Sequence, residues 1–323
     1  MAARSRYAPD RGLTVRMTAT MFLLGLVFVA FVALIIGVMT ATHQSGAAIV
    51  IVALLLGGGT AFISLFYSDK IALASAGAQI VTPQQAPKLH GIVDRLCALA
   101  DMDKPVVAIA PTSMPNAFAT GRNSKHAVLC VTDGLLNRSQ LTDEELEGVL
   151  AHELSHVAHK DVQVMTVASL LAIVAGLLVR FAFYSELFGG GRRNNNQNAF
   201  PIILAIMVVS AVVYAVSFLL IRLLSRYREL AADRSGALLT GQPMVLASAL
   251  QKVSQGMNRI PTQDLRAAEP LNAFYFAPAM KLNGGASLSA IFSTHPSLEK
   301  RIAELEKIQR QLNEVSPGPK GVR

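Results

Sequence analysis

Long apolar blocks alternate with polar stretches along this chain, and that alternation dominates its pattern. Four blocks are long enough to cross a bilayer, whose hydrocarbon core takes about 20 apolar helical residues. They run from Met17 to Met39, Ala47 to Tyr67, Val162 to Tyr184 and Ala199 to Ile221. The third holds Arg180, close enough to one end to snorkel to the interface. Between and after the blocks lie a polar tail (1–16), a large piece (68–161), a Gly/Asn-rich connector (185–198), a second large piece (222–310) and a tail (311–323). Neither large piece reads as a complete domain alone, so the two are expected to fold together. The connector reads as a mobile external loop and the last thirteen residues as disordered.

Within the first polar piece the periodicity is finer. Leu89, Ile92, Val93, Leu96 and Leu99 share one face at helical spacing, which predicts an amphipathic helix over Pro87–Ala100. Val106–Ala110 is a β-branched run between two prolines and predicts a strand. Asn116–Gly121 reads as a turn, followed by a second strand within His126–Thr132. Thr142 followed by Glu145 is the signature of a capping box. Leu146, Val149, Leu150, Leu154 and Val157 then keep helical period, so residues 152–156 belong to a helix.

Composition agrees with a membrane protein: of 323 residues, 52% are hydrophobic and only 15% charged. The net charge of +8 raises nucleic acid as a partner, but the placement of charge points to a bilayer instead. Arg4, Arg6, Arg11 and Arg16 precede the first block, Arg222, Arg226 and Arg228 follow the fourth, and the loop 40–46 has no Lys or Arg. The positive-inside rule therefore puts both termini in the cytoplasm, against the lesser weight of Arg192 and Arg193 in the outer loop. The first block is too long for a signal-peptide core and reads as a retained anchor. Cys97 and Cys130 lie in the cytoplasmic portion without metal-ligand spacing, and are expected to be reduced core residues.

The candidate chemistry is concentrated in HELSH, residues 152–156. On a helix, positions i and i+4 share a face, so His152 and His156 can converge on one zinc ion. Glu153 sits about 100° round the helix from His152, near the edge of that face, where it can reach a water on the metal without ligating it. Zinc lowers the pKa of such a water towards ~7 and polarises a scissile carbonyl. The carboxylate can then take the proton and pass it to the leaving amine. A third ligand is needed. His159 returns to nearly the same face but lies about 10 Å along the axis, awkwardly far for one ion. Glu229, in SRYRELAAD, is the better candidate, with Asp233 one turn on to accept a hydrogen bond from a ligand histidine. His156 and Glu229 would each project about 9–12 Å from the same membrane face if their helices continue out of the third and fourth blocks.

With NAFATG at 116–121, HELSHVAHKD at 152–161, RELAAD at 228–233 and STHPSLEKRI at 293–302, in that order, the sequence resembles the HtpX group of membrane zinc proteases, relatives of the CAAX prenyl proteases. The resemblance implies one zinc ion per chain held by His152, His156 and Glu229, with Glu153 as general base. It also implies a cytoplasmic active site and the cleavage of misfolded or damaged membrane proteins. The sequence departs from the group's pattern at His159, where a polar residue such as Asn is expected. His295 is linked to the site either as a donor to the oxyanion or as a cap for the helix starting near Pro296. Asn116 and the segment to Gly121 either present a strand edge to substrate or form an ordinary turn. Arg301 is expected in a structural ion pair.

The expected fold is therefore mainly α with a small β-sheet: four transmembrane helices and a cytoplasmic zincin-like α+β domain from two discontinuous segments. The expected partners are the bilayer and unfolded or membrane-protein substrates, with no nucleic acid. A prenyl-peptide protease and a non-enzymatic metal-binding scaffold or transporter are the alternatives.

Overall fold

The computed structural model describes residues 11–41, 47–189, 199–258 and 295–315. The fold is mainly helical with one small mixed sheet, and the chain divides into two compact units. One unit joins residues 66–162 with 225–323 and the first fourteen; the other is formed by 15–65 and 163–224.

The second unit carries most of the apolar blocks. Its helices are α1 (Arg11–Ala41), most of α2 (Ala47–Ala76), α5 (Asp161–Gly189) and the first part of α6 (Ala199–Thr240). Leu24, Phe31, Ala168, Val174, Ala175 and Leu224 form its core, while residues such as Phe22, Leu55 and Val212 stay exposed. Large apolar side chains facing outward mark a surface built for lipid rather than water. Among the described residues, two helices are long and apolar enough to cross a membrane, Arg11–Leu34 and Leu204–Thr240. A third is added if Asp143–Ala158 and Asp161–Leu177 count as one broken span. The apolar run of α6 ends at Ile221, and the polar remainder, from Arg222, belongs outside the hydrocarbon. Part of the expected loop 185–198 is helical, since α5 reaches Gly189, and 190–198 lie outside the described residues.

The first unit holds the site. Its sheet has the order β1-β2-β4-β3, from β1 (Gln79–Ile80), β2 (Val106–Ala110), β3 (Ala117–Thr120) and β4 (Val128–Thr132). β2 and β4 run parallel, with Val106 opposite Val128, and the two outer strands are antiparallel to their neighbours. The expected helix over Pro87–Ala100 and the strand over Val106–Ala110 are present with those bounds. The segment expected as a turn, 116–121, is instead largely the edge strand β3, because Ala117–Thr120 pair residue for residue with Val131–Val128. Gly121 closes the strand at φ 134, where a Cβ would meet the His126 carbonyl oxygen at 2.2 Å.

The sheet and α3 (Pro87–Ala100) pack with α4 (Asp143–Ala158), α7 (Pro243–Asn258) and α8 (Leu298–Val315) around Val93, Leu96, Leu129, Leu150, Leu250 and Leu305. α8 continues to Val315, so residues 311–315 are helical rather than part of a disordered tail. The physical reason is Leu312, which packs against this core.

Candidate metal centre

The site is built on α4, whose start is fixed by the expected capping box. The Thr142 hydroxyl accepts from the Glu145 N–H at 3.2 Å, and the Glu145 carboxylate accepts from the Thr142 N–H at 2.8 Å. Glu145 is itself tied to α7 by Lys252 at 2.7 Å and by the Ser248 hydroxyl at 2.6 Å. The helix is thereby anchored at its beginning, and its second half presents His152, Glu153 and His156.

His152 and His156 meet edge to face, with centroids 4.8 Å apart and planes at 85°. Their Nε2 atoms lie 3.2 Å from one another. Each ring's other nitrogen faces a carboxylate: His152 Nδ1 is 2.9 Å from Asp233 Oδ1, and His156 Nδ1 is 2.7 Å from Asp161 Oδ2. A carboxylate at Nδ1 keeps the proton there, so both Nε2 atoms present lone pairs to the same point. Glu229 closes the group, with Oε1 3.5 Å from His156 Nε2 and Oε2 3.8 Å from His152 Nε2. One donor atom from each of His152, His156 and Glu229 can be chosen so that all lie within 4.8 Å. Tetrahedral zinc with bonds of 2.0–2.1 Å would set its ligand atoms about 3.3 Å apart. Two facing lone pairs and a carboxylate at these distances repel unless a cation lies between them. The donor set fits zinc.

Electrostatics prepare the same atoms. Burial pushes the His152 imidazole down to about 4, against the opposing pull of Asp233, so the ring is neutral and able to ligate at neutral pH. Burial alone would raise the Glu229 carboxyl, but His295, His156 and Arg301 outweigh it and hold the group well below the usual range. Burial dominates at Glu153 and pushes it up to about 8. Its Oε2 accepts from the Ala119 N–H of β3 at 3.1 Å, which aims the carboxylate at the edge strand.

The remaining expected residues are placed as follows. Asp233 lies against His152, as its spacing from Glu229 suggests. Arg301 is almost fully buried and grips Asp233 with Nε and an Nη at 2.7 and 2.6 Å, the expected structural ion pair. His295 is buried, with Nδ1 3.0 Å from Glu229 Oε2. The hydroxyl that accepts from the first turn of α8 is that of Ser297, bonded to the Lys300 N–H at 3.3 Å. Asn116 is outside the metal group; its N–H donates to Thr132 Oγ1 at 2.8 Å and its C=O accepts from the Thr132 N–H at 2.9 Å, pinning the start of β3. His159 caps the end of α4, its Nε2 3.3 Å from the Ser235 hydroxyl.

Sequence reasoning missed Asp161 and Gly236. Asp161 carried a faint signal, a carboxylate just past the HELSH helix at the edge of an apolar block. Gly236 carried none, yet a Cβ there would lie 2.9 Å from the His152 backbone nitrogen. Only a glycine lets α6 approach α4 closely enough for Glu229 and His152 to share a site.

The sequence profile of peptidase family M48 matches residues 83–309. The chain is 56% identical to protease HtpX homolog 1 of Streptomyces coelicolor, over 98% of this chain and 99% of that one. It is 49% identical to protease HtpX homolog 2 of Methanosarcina mazei (96% and 100% covered) and 48% to the protease HtpX homolog of Moorella thermoacetica (96% and 99%). The crystal structure of S. mikatae Ste24p superposes with a TM-score of 0.48 at 18% identity, covering 92% of this chain and 66% of that one.

Proposed function

The chain belongs to peptidase family M48, and on that premise we propose the roles of its site residues and the side of the membrane on which they act. The protein is an integral-membrane zinc metalloprotease. His152, His156 and Glu229 hold one zinc ion per chain. The observation that carries this reading is the pair of Nε2 lone pairs facing one another at 3.2 Å with both Nδ1 atoms engaged by carboxylates. When bound, the ion acidifies a water and polarises the scissile carbonyl.

Glu153 is the general base. It takes the proton of the attacking water and returns it to the leaving amine. Its burial, which raises its proton affinity, suits a group that must bind and release a proton within one turnover. The Ala119 N–H holds the carboxylate toward β3. In an antiparallel pair, main-chain groups alternate between facing the partner strand and facing away. Asn116 bonds inward to Thr132, so Ala117 and Ala119 turn their main-chain groups to the open edge. That edge suits an extended substrate added as a further strand, with Asn116 anchoring it. His295 steadies Glu229 and is the candidate donor to the developing oxyanion.

The substrates are unfolded or damaged membrane proteins, cut at the cytoplasmic face of a bacterial inner membrane in quality control. The arginines flanking the first and fourth apolar blocks support this orientation.

Purified full-length protein in detergent should cleave an unfolded membrane-protein substrate into fragments seen by mass spectrometry, and a chelator should stop it. Glu153→Gln should retain zinc and cleave nothing. Turnover by that variant would overturn the assignment of the base.

A further inference from the structure

Each zinc-binding histidine in this site is backed by a carboxylate, and each carboxylate by an arginine, but the two arrangements differ in where they come from. Behind His152 stands Asp233, gripped by Arg301 of α8. Behind His156 stands Asp161, the first residue of α5 and the last of the HELSHVAHKD segment. The chain reverses between the two helices through Lys160, whose φ of 55 places it in the left-handed region, and this turn swings Asp161 back under the helix it has just left. The carboxylate is buried and both of its oxygens are used. Oδ2 lies 2.7 Å from His156 Nδ1, and Oδ1 pairs with the guanidinium of Arg228. Arg228 is also buried, and its Nη2 donates to the His159 main-chain carbonyl at 2.9 Å, the last residue before the reversal. Both contacts run through Nη2, so one nitrogen of the guanidinium fastens both sides of the turn.

We propose that Arg228 and Asp161 form a coupled clamp that orients His156, so that metal affinity depends on Arg228 although it touches neither the metal nor the substrate. The proposal rests on the assignment of His156 as a ligand. Arg228 immediately precedes Glu229 on α6. One turn of that helix thus supplies a ligand directly and fixes a second ligand through Asp161. Removing the arginine leaves a buried carboxylate uncompensated, free to turn or to draw the His156 proton toward itself. Removing the carboxylate leaves Nδ1 without the partner that fixes the ring's tautomer and plane. Arg228 also holds the His159 carbonyl, but its route to the His156 ring runs through Asp161, so in zinc affinity the two losses should not add.

The experiment is a double-mutant cycle on the full-length protein in detergent, with the zinc dissociation constant read by chelator competition at fixed pH. The unfolding of each metal-free variant is recorded separately. Asp161→Asn should weaken zinc by about 10- to 100-fold, the usual effect of losing a histidine's outer partner. Arg228→Gln should weaken it by about tenfold and Arg228→Lys by less, and the Asp161→Asn/Arg228→Gln double variant should match Asp161→Asn alone. The visible spectrum of the cobalt-substituted protein should shift in the single variants, which a general loss of stability would not produce. Wild-type affinity in both single variants, or losses that multiply in the double, would overturn the clamp. If Arg228→Gln does not fold, the near-isosteric Asp161→Asn and its combination with Arg228→Lys decide the same question. Glu229→Gln is the control for the underlying reading. If it keeps full zinc affinity, the ligand assignment has failed, whereas a loss there with unaffected clamp variants condemns the clamp alone.

Discussion

At the scale of single residues, burial does most of the chemical tuning, and it acts in opposite senses on neighbours. Glu153 and His152 are adjacent in sequence and both enclosed, yet burial favours the protonated carboxyl of one and the neutral ring of the other. This gives the metal-free protein a distinctive pH response. The His152 value falls from 6.5 to about 4 on folding, so its contribution to stability is complete above ~6.5 and lost as the solution is acidified. The Glu153 value rises from 4.5 to about 8, so its contribution is complete below ~4.5 and lost as pH climbs through 8. Between pH 6.5 and 8 only the second trend operates of the two. Metal-free protein should therefore melt at a lower temperature at pH 8 than at pH 6.5. Glu153→Gln should remove most of that difference, and an unchanged slope in the variant would show that another group is responsible. The proposed histidine ligands and base were legible in the sequence because helical spacing brings i, i+1 and i+4 to one site. Glu229, with Asp233 one turn on, was found from its place beyond the fourth apolar block and from the family resemblance. Asp161 was not, since its contact depends on a left-handed residue at Lys160 that no periodicity reveals.

At the scale of elements, the site depends on how closely two helices approach. Glu229 can join the HELSH pair only if α6 lies against the backbone of α4, and Gly236 permits this. In Gly236→Ala the new methyl would sit 2.9 Å from a backbone nitrogen, which cannot rotate away as a side chain could, so the helices must separate by some tenths of an ångström. The expected cost is about 1–3 kcal/mol in urea unfolding of the metal-free protein, together with weaker zinc binding. Unchanged stability and affinity would mean that the helices adjust without moving the ligands. The other end of α4 offers a milder test: Thr142→Ala should cost about 1 kcal/mol through its cap while leaving zinc affinity nearly intact. Elements with strong internal signals, such as α3, β2 and the capped start of α4, could be read directly from sequence. β3 could not, because a run of four residues, two of them alanine, carries too little signal of its own and becomes a strand by pairing with β4. α7 went unread although Leu246, Leu250 and Val253 recur at helical spacing and form its buried face.

At the scale of the whole molecule, the folding of the catalytic unit constrains the membrane topology. That unit is assembled from two stretches, and the described side chains of 66–162 meet those of 225–258 and 295–315 in one core and one metal centre. Both stretches must therefore lie on the same side of a bilayer. The chain between them consequently crosses an even number of times. α6 is long and apolar enough to span, and if it does, α5 must span as well, despite Arg180. In that case the connection between α5 and α6 is on the opposite side from the metal centre, and the orientation proposed above has that connection outside and the site in the cytoplasm. Single-cysteine labelling tests this with little background. Cys97 and Cys130 are buried, and burial pushes their thiols up to about 11 and about 12, so both should resist a maleimide in the folded protein. In intact cells an impermeant maleimide should label Asn195→Cys, whereas Lys307→Cys, on the exposed side of α8, should react only after the membrane is opened. The reverse pattern would invert the orientation and leave the parity argument standing. Labelling of both positions from one side would break it, and with it the inference that α5 and α6 cross as a pair.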